Sequence, residues 1–163
     1  MEQFFLTEDD FQIIRSFDLI HTAFWGRTVP WLPGLKKTGV PISFDCADKL
    51  QDPVIAQIAP YTDYILFSYT QDDSYIRNYL KGICAQGPKL AIATLGSSGS
   101  IAFDGKQYYS CGIESVTVSD TMGAGDSYIA GFLYAFFQHH DIQESMKAGA
   151  HSAAVTLSYR GAW

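Results

Sequence analysis

Short apolar runs alternate along the chain with stretches that have the spacing of amphipathic helices. A short continuous apolar run bounded by turn-forming residues is typical of a buried strand, because a parallel strand covered on both faces has little need for polar positions. Strands that alternate with helices predict an α/β fold with a mostly parallel central sheet. The predicted strands are Phe17–Ala23, Val40–Asp45, Asp63–Ser68 and Lys89–Thr94.

Polar residues between these runs mark the starts of helices. Thr7 stands before three acidic residues and an amphipathic stretch, which is typical of a capping box. Asp52 followed by Pro53 predicts an N-cap and a first helical residue, with the helix continuing through Ile58. Asp141 is the predicted N-cap of a final helix rich in small residues.

Residues 89–103 predict a strand, a glycine-containing loop and a second strand. The pair Asp104–Gly105 then predicts the tight turn of a β-hairpin. Two glycines in the loop, Gly96 and Gly99, would let a phosphate or a ribose approach the backbone, although the same spacing also occurs in loops that bind no ligand.

Segment 119–132 combines a glycine turn with the start of a long apolar helix. Gly123 and Gly125 permit a left-handed or closely approached backbone. The helix that follows would direct free N–H groups and the positive end of its dipole out of its first turn. Since a phosphate oxygen placed there would meet oriented donors, the sequence predicts an anion-binding site at this turn.

Two roles are open for Asp126, which lies in the first turn of that predicted helix. A carboxylate near a helix N-terminus is an ordinary stabilising feature. Alternatively, Asp126 is a general base that takes the proton from an alcohol while backbone amides hold the transferring phosphoryl group.

The run DTMGAGD at 120–126, followed by an apolar helix that carries Gly131, resembles the C-terminal signature of the ribokinase or PfkB family of carbohydrate kinases. The resemblance favours the second role and implies that Asp126 is the catalytic base. The residues that match the family's anion hole are Gly123, Ala124 and Gly125.

The same resemblance implies a nucleotide site that binds ATP together with Mg²⁺. A buried strand that ends in TLGxxG, upstream of GAGD, matches the family's order of motifs. Asp120 matches a residue that sets the loop and, in some members, contributes to a monovalent cation site. The residues expected to bind the cofactor are Thr94, Gly96, Gly99, Asp120 and Thr121.

The implied fold is a ribokinase-like three-layer sandwich with a mostly parallel central sheet. Residues 1–163 would form a single domain, the C-terminal part of a kinase domain that includes the nucleotide site. The family's N-terminal region and its substrate lid have no counterpart here, so we expect a fragment or a truncated product. Its exposed apolar surface would favour instability or pairing with another chain, including a homo-oligomer.

One strand-to-helix passage departs from the family pattern. Typical members carry an Asn and then a Glu that organise water around magnesium and phosphate, whereas this chain has Ser68, Asp72 and Asp73. Helix capping is the simpler account of both acids. Asp45, at the end of a predicted strand, has two open interpretations: a ligand or metal contact, or a turn or helix cap. The metal ligands therefore stay unassigned.

Several runs resemble the branch of the family that acts on fructoselysine. The implied reaction is ATP-dependent phosphoryl transfer to a sugar hydroxyl of fructoselysine or a related fructosamine. Another kinase of the family, acting on ribose, fructose or a nucleoside, and a non-catalytic phosphate-binding fragment remain alternatives. The runs that carry this resemblance are Phe17–Arg27, Ser43–Asp45 and Tyr159–Trp163.

The composition limits the classes of binding partner and the cellular location that we expect. The formal net charge of −6 argues against nucleic acid, whose phosphates require clustered Lys and Arg. Three cysteines, Cys46, Cys84 and Cys111, lack CxxC spacing, which is typical of reduced thiols in the cytoplasm. No run is long enough to span a membrane. We therefore expect a cytoplasmic protein whose partner is a small sugar.

Overall fold

A computed structural model describes residues 5–161, which form one six-stranded sheet with helices on both faces. Residues 1–4 and 162–163, including the end of the run Tyr159–Trp163, lie outside the described residues. The helices are α1 (Glu8–Ile14), α2 (Leu32–Lys36), α3 (Ile55–Ile58), α4 (Ser74–Cys84), α5 (Ala124–His139) and α6 (Ile142–Leu157). The strands are β1 (Ile20–Ala23), β2 (Ile42–Asp45), β3 (Tyr64–Ser68), β4 (Leu90–Thr94), β5 (Ser100–Phe103) and β6 (Tyr108–Cys111).

The strands lie in sequence order from β1 to β6. Strands β1 to β4 are parallel, whereas β5 and β6 form an antiparallel hairpin on the β4 side. The predicted strands and the hairpin are therefore confirmed. Because all four parallel strands run in the same direction, their carboxyl ends meet at one edge of the sheet.

Alternate residues of each strand pack into opposite helical layers. On β3, Ile65 and Phe67 join the cluster covered by α2, α3 and α4, whereas Tyr64 and Leu66 join the cluster covered by α5 and α6. This alternation follows from the two-residue period of a strand, and it confirms the three-layer architecture. Within residues 5–161, no helix is long and apolar enough to cross a lipid bilayer.

Side chains cap most of the longer helices. Thr7 accepts from the Asp10 N–H and forms the predicted capping box, and Asp141 accepts from the Glu144 N–H at the start of α6. The predicted cap of α3 is wrong. Asp52 accepts a bond from the Val54 N–H within a turn, and the helix begins only after that turn.

Helices α5 and α6 pack closely through glycines. A Cβ atom at Gly131 would lie 2.8 Å from the Ala148 carbonyl oxygen and would also overlap Ser152. A Cβ at Gly149 would lie 2.9 Å from the Tyr128 carbonyl oxygen. Since real Cβ atoms do not approach carbonyl oxygens so closely, the absence of these side chains sets the separation of the two helices.

Replacing Gly131 with alanine should destabilise the protein. The added methyl group has no space between α5 and α6, and overpacking of this kind costs about 1–3 kcal/mol. The matched control is Gly82→Ala in α4, where an added Cβ meets nothing within 4 Å. That control should be neutral or stabilising by up to about 1 kcal/mol, because alanine favours helix. Urea denaturation followed by circular dichroism measures both, and equal stability of the two variants would contradict the packing.

Candidate active site

Polar residues gather where the parallel strands end. Asp45 ends β2, Ser68 ends β3 and Thr94 ends β4, so parallel pairing places them along the same edge of the sheet. The Thr94 hydroxyl lies 3.4 Å from the Ser68 Oγ. The loop 119–123 and the first turn of α5 reach this same edge, because Gly123, Gly125 and Ser68 line one cavity.

The first turn of α5 has no side-chain cap. Its N-cap is Gly123, whose φ of 78° is left-handed and favours glycine. In contrast, a Thr or Asp side chain caps α1, α4 and α6. The Ala124 N–H bonds to the Thr121 carbonyl at 3.4 Å, whereas the N–H groups of Gly125 and Asp126 have no acceptor within residues 5–161. These two donors are free to bind a ligand.

Gly125 departs from one part of the expectation. It lies within α5 and does not have a positive φ, so a left-handed conformation is wrong for this residue. A Cβ atom added here would meet nothing within 4 Å. The open space in front of Gly125 therefore leaves the backbone accessible.

A cavity of about 420 Å³ lies between the glycine loop after β4 and the helices α5 and α6. Its lining includes the residues predicted for the nucleotide site, except Asp120, and the start of α5. Residues of segment 112–118 and mostly apolar residues of α6 also line it. The predicted residues in the lining are Thr94, Gly96, Gly99, Thr121, Ala124 and Gly125.

A smaller cavity of about 150 Å³ adjoins the first, and Thr94 and Gly125 line both. It contains Asp126, which is exposed, together with Asp45 and Ser68. The Asp126 carboxylate and the free N–H groups at the start of α5 therefore border a common space. This arrangement suits a reaction between a group held in the larger cavity and a group held in the smaller one.

The two glycines of the loop after β4 are required for different reasons. Gly96 has a φ of 56° and faces open space, in keeping with the expectation that a ligand approaches the backbone there. Gly99 has a φ of 89°, and a Cβ would clash with the Cys111 carbonyl and lie 2.9 Å from the Gly112 Cα. The close approach at Gly99 is therefore made by this chain's own β6.

Asp120 connects the loop before α5 to the end of the chain. Its Oδ1 accepts from the Met122 N–H and its Oδ2 accepts from the Gly161 N–H, both at 3.1 Å. These bonds, first that from Gly161, lower the pKa of Asp120. Asp120 therefore orders the loop that leads into Gly123, as expected.

Asp45 combines a turn with a position in the smaller cavity. Its Oδ1 accepts from the Ala47 N–H at 2.8 Å. Burial raises the pKa of Asp45, and the charge of Asp126 acts in the same direction, whereas the Ala47 bond and His21 oppose it. The turn is therefore confirmed for Asp45, and its contact with a ligand or metal stays a prediction.

The departure from the family pattern after β3 has a clear structural result. Asp73 caps α4 by accepting from the Ile76 N–H at 2.9 Å, and Asp72 forms a two-bond ion pair with Arg77. The capping interpretation is confirmed for Asp73 only. Of Ser68, Asp72 and Asp73, only Ser68 lines the smaller cavity.

Sequence reasoning missed His21 as a site residue. It lies on β1 opposite Ser43 of β2, and its Nδ1 is 3.2 Å from the Ser43 Oγ. Both Asp45 and Asp126 influence its pKa, so both carboxylates lie within electrostatic range. The sequence shows a polar residue inside each of these two apolar runs, His21 and Ser43, but only the structure shows that they pair in register.

Comparison with solved structures identifies the class of fold. A microbiome-derived acarbose kinase superposes with a TM-score of 0.85 at 22% identity, covering 99% of this chain and 56% of the other. Ribokinase from Arabidopsis thaliana, solved with ribose and ATP, superposes with a TM-score of 0.85 at 22% identity, covering 96% and 55% of the two chains. The protein therefore has the ribokinase-like α/β fold.

The sequence comparisons identify the family. The model of the pfkB family of carbohydrate kinases matches residues 38–163. Fructoselysine 6-kinase from Shigella flexneri is 40% identical over 163 residues, which is all of this chain and 62% of the relative. Fructosamine kinase FrlD from Bacillus subtilis is 35% identical over 160 residues, covering 96% of this chain and 55% of the relative. The chain belongs to the pfkB family, and it spans about three fifths of these relatives' length.

Replacing Asp45 with asparagine should stabilise the protein at pH 7. Because burial raises the folded-state pKa of Asp45, ionising this carboxyl costs stability as the pH rises through that pKa. Asparagine stays neutral and keeps an Oδ1 to accept from the Ala47 N–H. The gain should be full near pH 7 and should vanish below the ordinary Asp range, as measured by urea denaturation at several pH values.

The control for this prediction is Asp63→Asn, which should have the opposite sign. Burial alone would raise the pKa of Asp63, but bonds from Lys36, the Ile42 N–H and Lys89 lower it overall. Ionised Asp63 therefore adds stability that is present above its unfolded pKa and lost as the pH falls. If Asp45→Asn were instead destabilising at pH 7, ionised Asp45 would not reduce the stability of the folded protein, which would contradict the prediction.

Proposed function

We propose that this chain carries the nucleotide site and the catalytic base of an ATP-dependent kinase that phosphorylates a sugar hydroxyl. The favoured acceptor is fructoselysine or a related fructosamine. The observation that carries the proposal is that Asp126 lines the smaller cavity beside the uncapped start of α5, where Gly125 lines both cavities. The whole of residues 1–163 is taken as the C-terminal part of one kinase domain.

The larger cavity suits ATP by the chemistry of its lining. Small and aliphatic side chains of α6 and segment 112–118 offer a dry surface to a flat base, among them Ala150, Ala153 and Val116. The same lining also offers Thr94, Thr121 and the free N–H groups at the start of α5. These donors, with the positive end of the helix dipole, favour a phosphate group.

The smaller cavity suits Mg²⁺ by the hardness of its donors. Asp45 and Asp126 provide carboxylate oxygens and Ser68 provides a hydroxyl, and Mg²⁺ in phosphoryl-transfer sites is usually held by one or two carboxylates together with phosphate and water. No cluster of three or more His, Cys, Asp or Glu suited to a metal occurs in residues 5–161. Asp45 and Ser68 would hold the metal, and the monovalent cation near Asp120 stays a prediction.

Each protein group has a separate task in the proposed reaction. Asp126 accepts the proton of the acceptor hydroxyl, so that the oxygen becomes a better nucleophile. The N–H groups of Gly125 and Asp126, with the Gly123–Ala124 turn that orients them, stabilise negative charge on the transferring group. ATP supplies that phosphoryl group when bound.

The names of the relatives favour fructoselysine or a related fructosamine as the substrate. Three relatives that cover 96–100% of this chain are named for fructoselysine or fructosamine, whereas matches over about half of it include 5-dehydro-2-deoxygluconokinase and ATP-dependent 6-phosphofructokinase. A kinase for ribose, fructose or a nucleoside is the second candidate, since it would use the same cavities. A cytoplasmic location and self-association stay predictions from the sequence.

The substrate should be identified by coupled ADP release. We would join this chain to the remaining N-terminal part of the Shigella flexneri relative and assay fructoselysine, fructose, ribose and a nucleoside, with the chain alone in parallel. The joined protein should have the highest kcat/KM with fructoselysine, and the chain alone should be inactive. Preference for another acceptor would select the second candidate, and a folded joined protein that is inactive with all four would contradict the kinase proposal.

Asp126→Asn in the joined protein should lower kcat by about 10²-fold or more, because loss of a positioned general base costs about 10²–10⁴. Binding of ATP should persist, since asparagine leaves the backbone donors in place. The matched control is Asp141→Asn, at the start of α6, where asparagine caps a helix as well as aspartate. Unchanged turnover in Asp126→Asn would favour a phosphate-binding fragment over a kinase.

A further inference from the structure

His21 lies on β1, next to the strand β2 whose last residue, Asp45, lines the smaller cavity together with Asp126. Along β2, Ser43 and Asp45 face the α5 side, because Ile42 and Phe44 face the opposite core. His21 pairs in register with Ser43 and contacts its hydroxyl, so His21 shares that face. His21 is exposed to solvent, whereas Ser43 is completely buried.

The hydrogen bond to Ser43 leaves only one ring nitrogen for a ligand. Nδ1 lies 3.2 Å from the Ser43 Oγ, and Nε2 has no partner within residues 5–161. Because Ser43 is buried on a central strand, it fixes the direction of the imidazole. Either tautomer then presents Nε2 as a donor or an acceptor on the open side of the sheet.

The charges around His21 come from the site already described. Neighbouring atoms displace part of the water around the His21 ring and lower its pKa, although the residue keeps an exposed surface, whereas the charges of Asp45 and Asp126 oppose that change. The imidazole is therefore neutral at pH 7, and two carboxylates lie within its electrostatic range. An uncharged donor at this position leaves the Asp126 carboxylate free of an ion pair that would weaken it as a base.

We propose that His21 is a specificity-determining residue of the acceptor site, whose Nε2 binds a second hydroxyl of the sugar while Asp126 takes the proton of the reacting hydroxyl. This inference rests on the proposed kinase function and names a contact that orients the acceptor. Protonation of His21 at low pH would replace that contact with an ion pair to Asp126 or Asp45, and both binding and turnover would fall.

Two amide variants test the roles of the two ring nitrogens of His21 separately. His21→Gln places an amide nitrogen near the position of Nε2, so the KM for the sugar should change by less than about 3-fold. In His21→Asn, the shorter side chain places its amide only at the position of Nδ1. This variant should therefore keep the contact with Ser43 and lose the hydrogen bond to the sugar. Its KM for the sugar should rise about 10-fold, the effect of one lost neutral hydrogen bond, with the KM for ATP unchanged.

The pH profile supplies a readout that a purely structural histidine would not change. In the joined protein, kcat/KM for fructoselysine should fall below the ordinary imidazole range as His21 becomes protonated. His21→Gln should shift that fall to lower pH, because glutamine does not titrate. His139→Gln, an exposed residue in the last turn of α5, should leave the profile unchanged.

Binding can be followed without turnover. Addition of fructoselysine without nucleotide should shift the ring resonances of His21 in a ¹H–¹³C spectrum and leave those of His139 in place. Ser43→Ala, which frees Nδ1, should broaden or reduce the shift and raise the KM for the sugar. This variant keeps the inference testable if a substitution at His21 itself does not fold.

The outcomes distinguish the two proposals. Failure of the wild-type joined protein with every acceptor would remove the kinase proposal and this inference together. An active wild type, in which His21→Asn has an unchanged KM for the sugar and His21→Gln an unchanged pH profile, would overturn the inference alone. An equal loss of kcat in both variants with unaltered KM would also overturn it, because that result indicates a structural role.

Discussion

The parallel alignment of β1 to β4 is the constraint on which the site depends. Parallel strands place every carboxyl end at one edge, so Asp45, Ser68 and Thr94 meet although they are far apart in sequence. The hairpin β5–β6 then brings the chain back beside β4, and α5 begins at the same edge. One topological feature therefore supplies both the polar residues and the helix start that faces them.

Electrostatics at this edge favours a ligand that carries both a phosphate and a cation. Asp45 and Asp126 repel each other, and burial already raises the pKa of Asp45. The uncapped start of α5 has the opposite character, with free donors at Gly125 and Asp126. Such a site keeps unsatisfied negative and positive groups close together at a cost in stability, which is typical of functional sites.

The sequence predicted the elements better than it predicted the contacts of the site. Short apolar runs have a single strong interpretation, so the strands and hairpin are confirmed, and the glycine turn at Gly123 has the expected left-handed conformation. Register and three-dimensional crowding are not encoded in local pattern. For that reason the proximity of His21 to Asp126 was missed, and the clash that requires Gly99 comes from the distant Cys111 carbonyl.

The position of the α5 amides is set from the opposite side of the helix. The Ser127 hydroxyl lies 2.6 Å from the Thr156 hydroxyl of α6, and the Tyr128 hydroxyl donates to the buried Ser100 of β5 at 2.8 Å. One turn further along, Gly131 allows α6 to approach closely. These contacts hold the first turn without using its free N–H groups. The first turn of α5 is therefore held by side-chain contacts while its N–H groups stay free. Such a turn is preorganised for negative charge, because no reorganisation is needed when that charge appears.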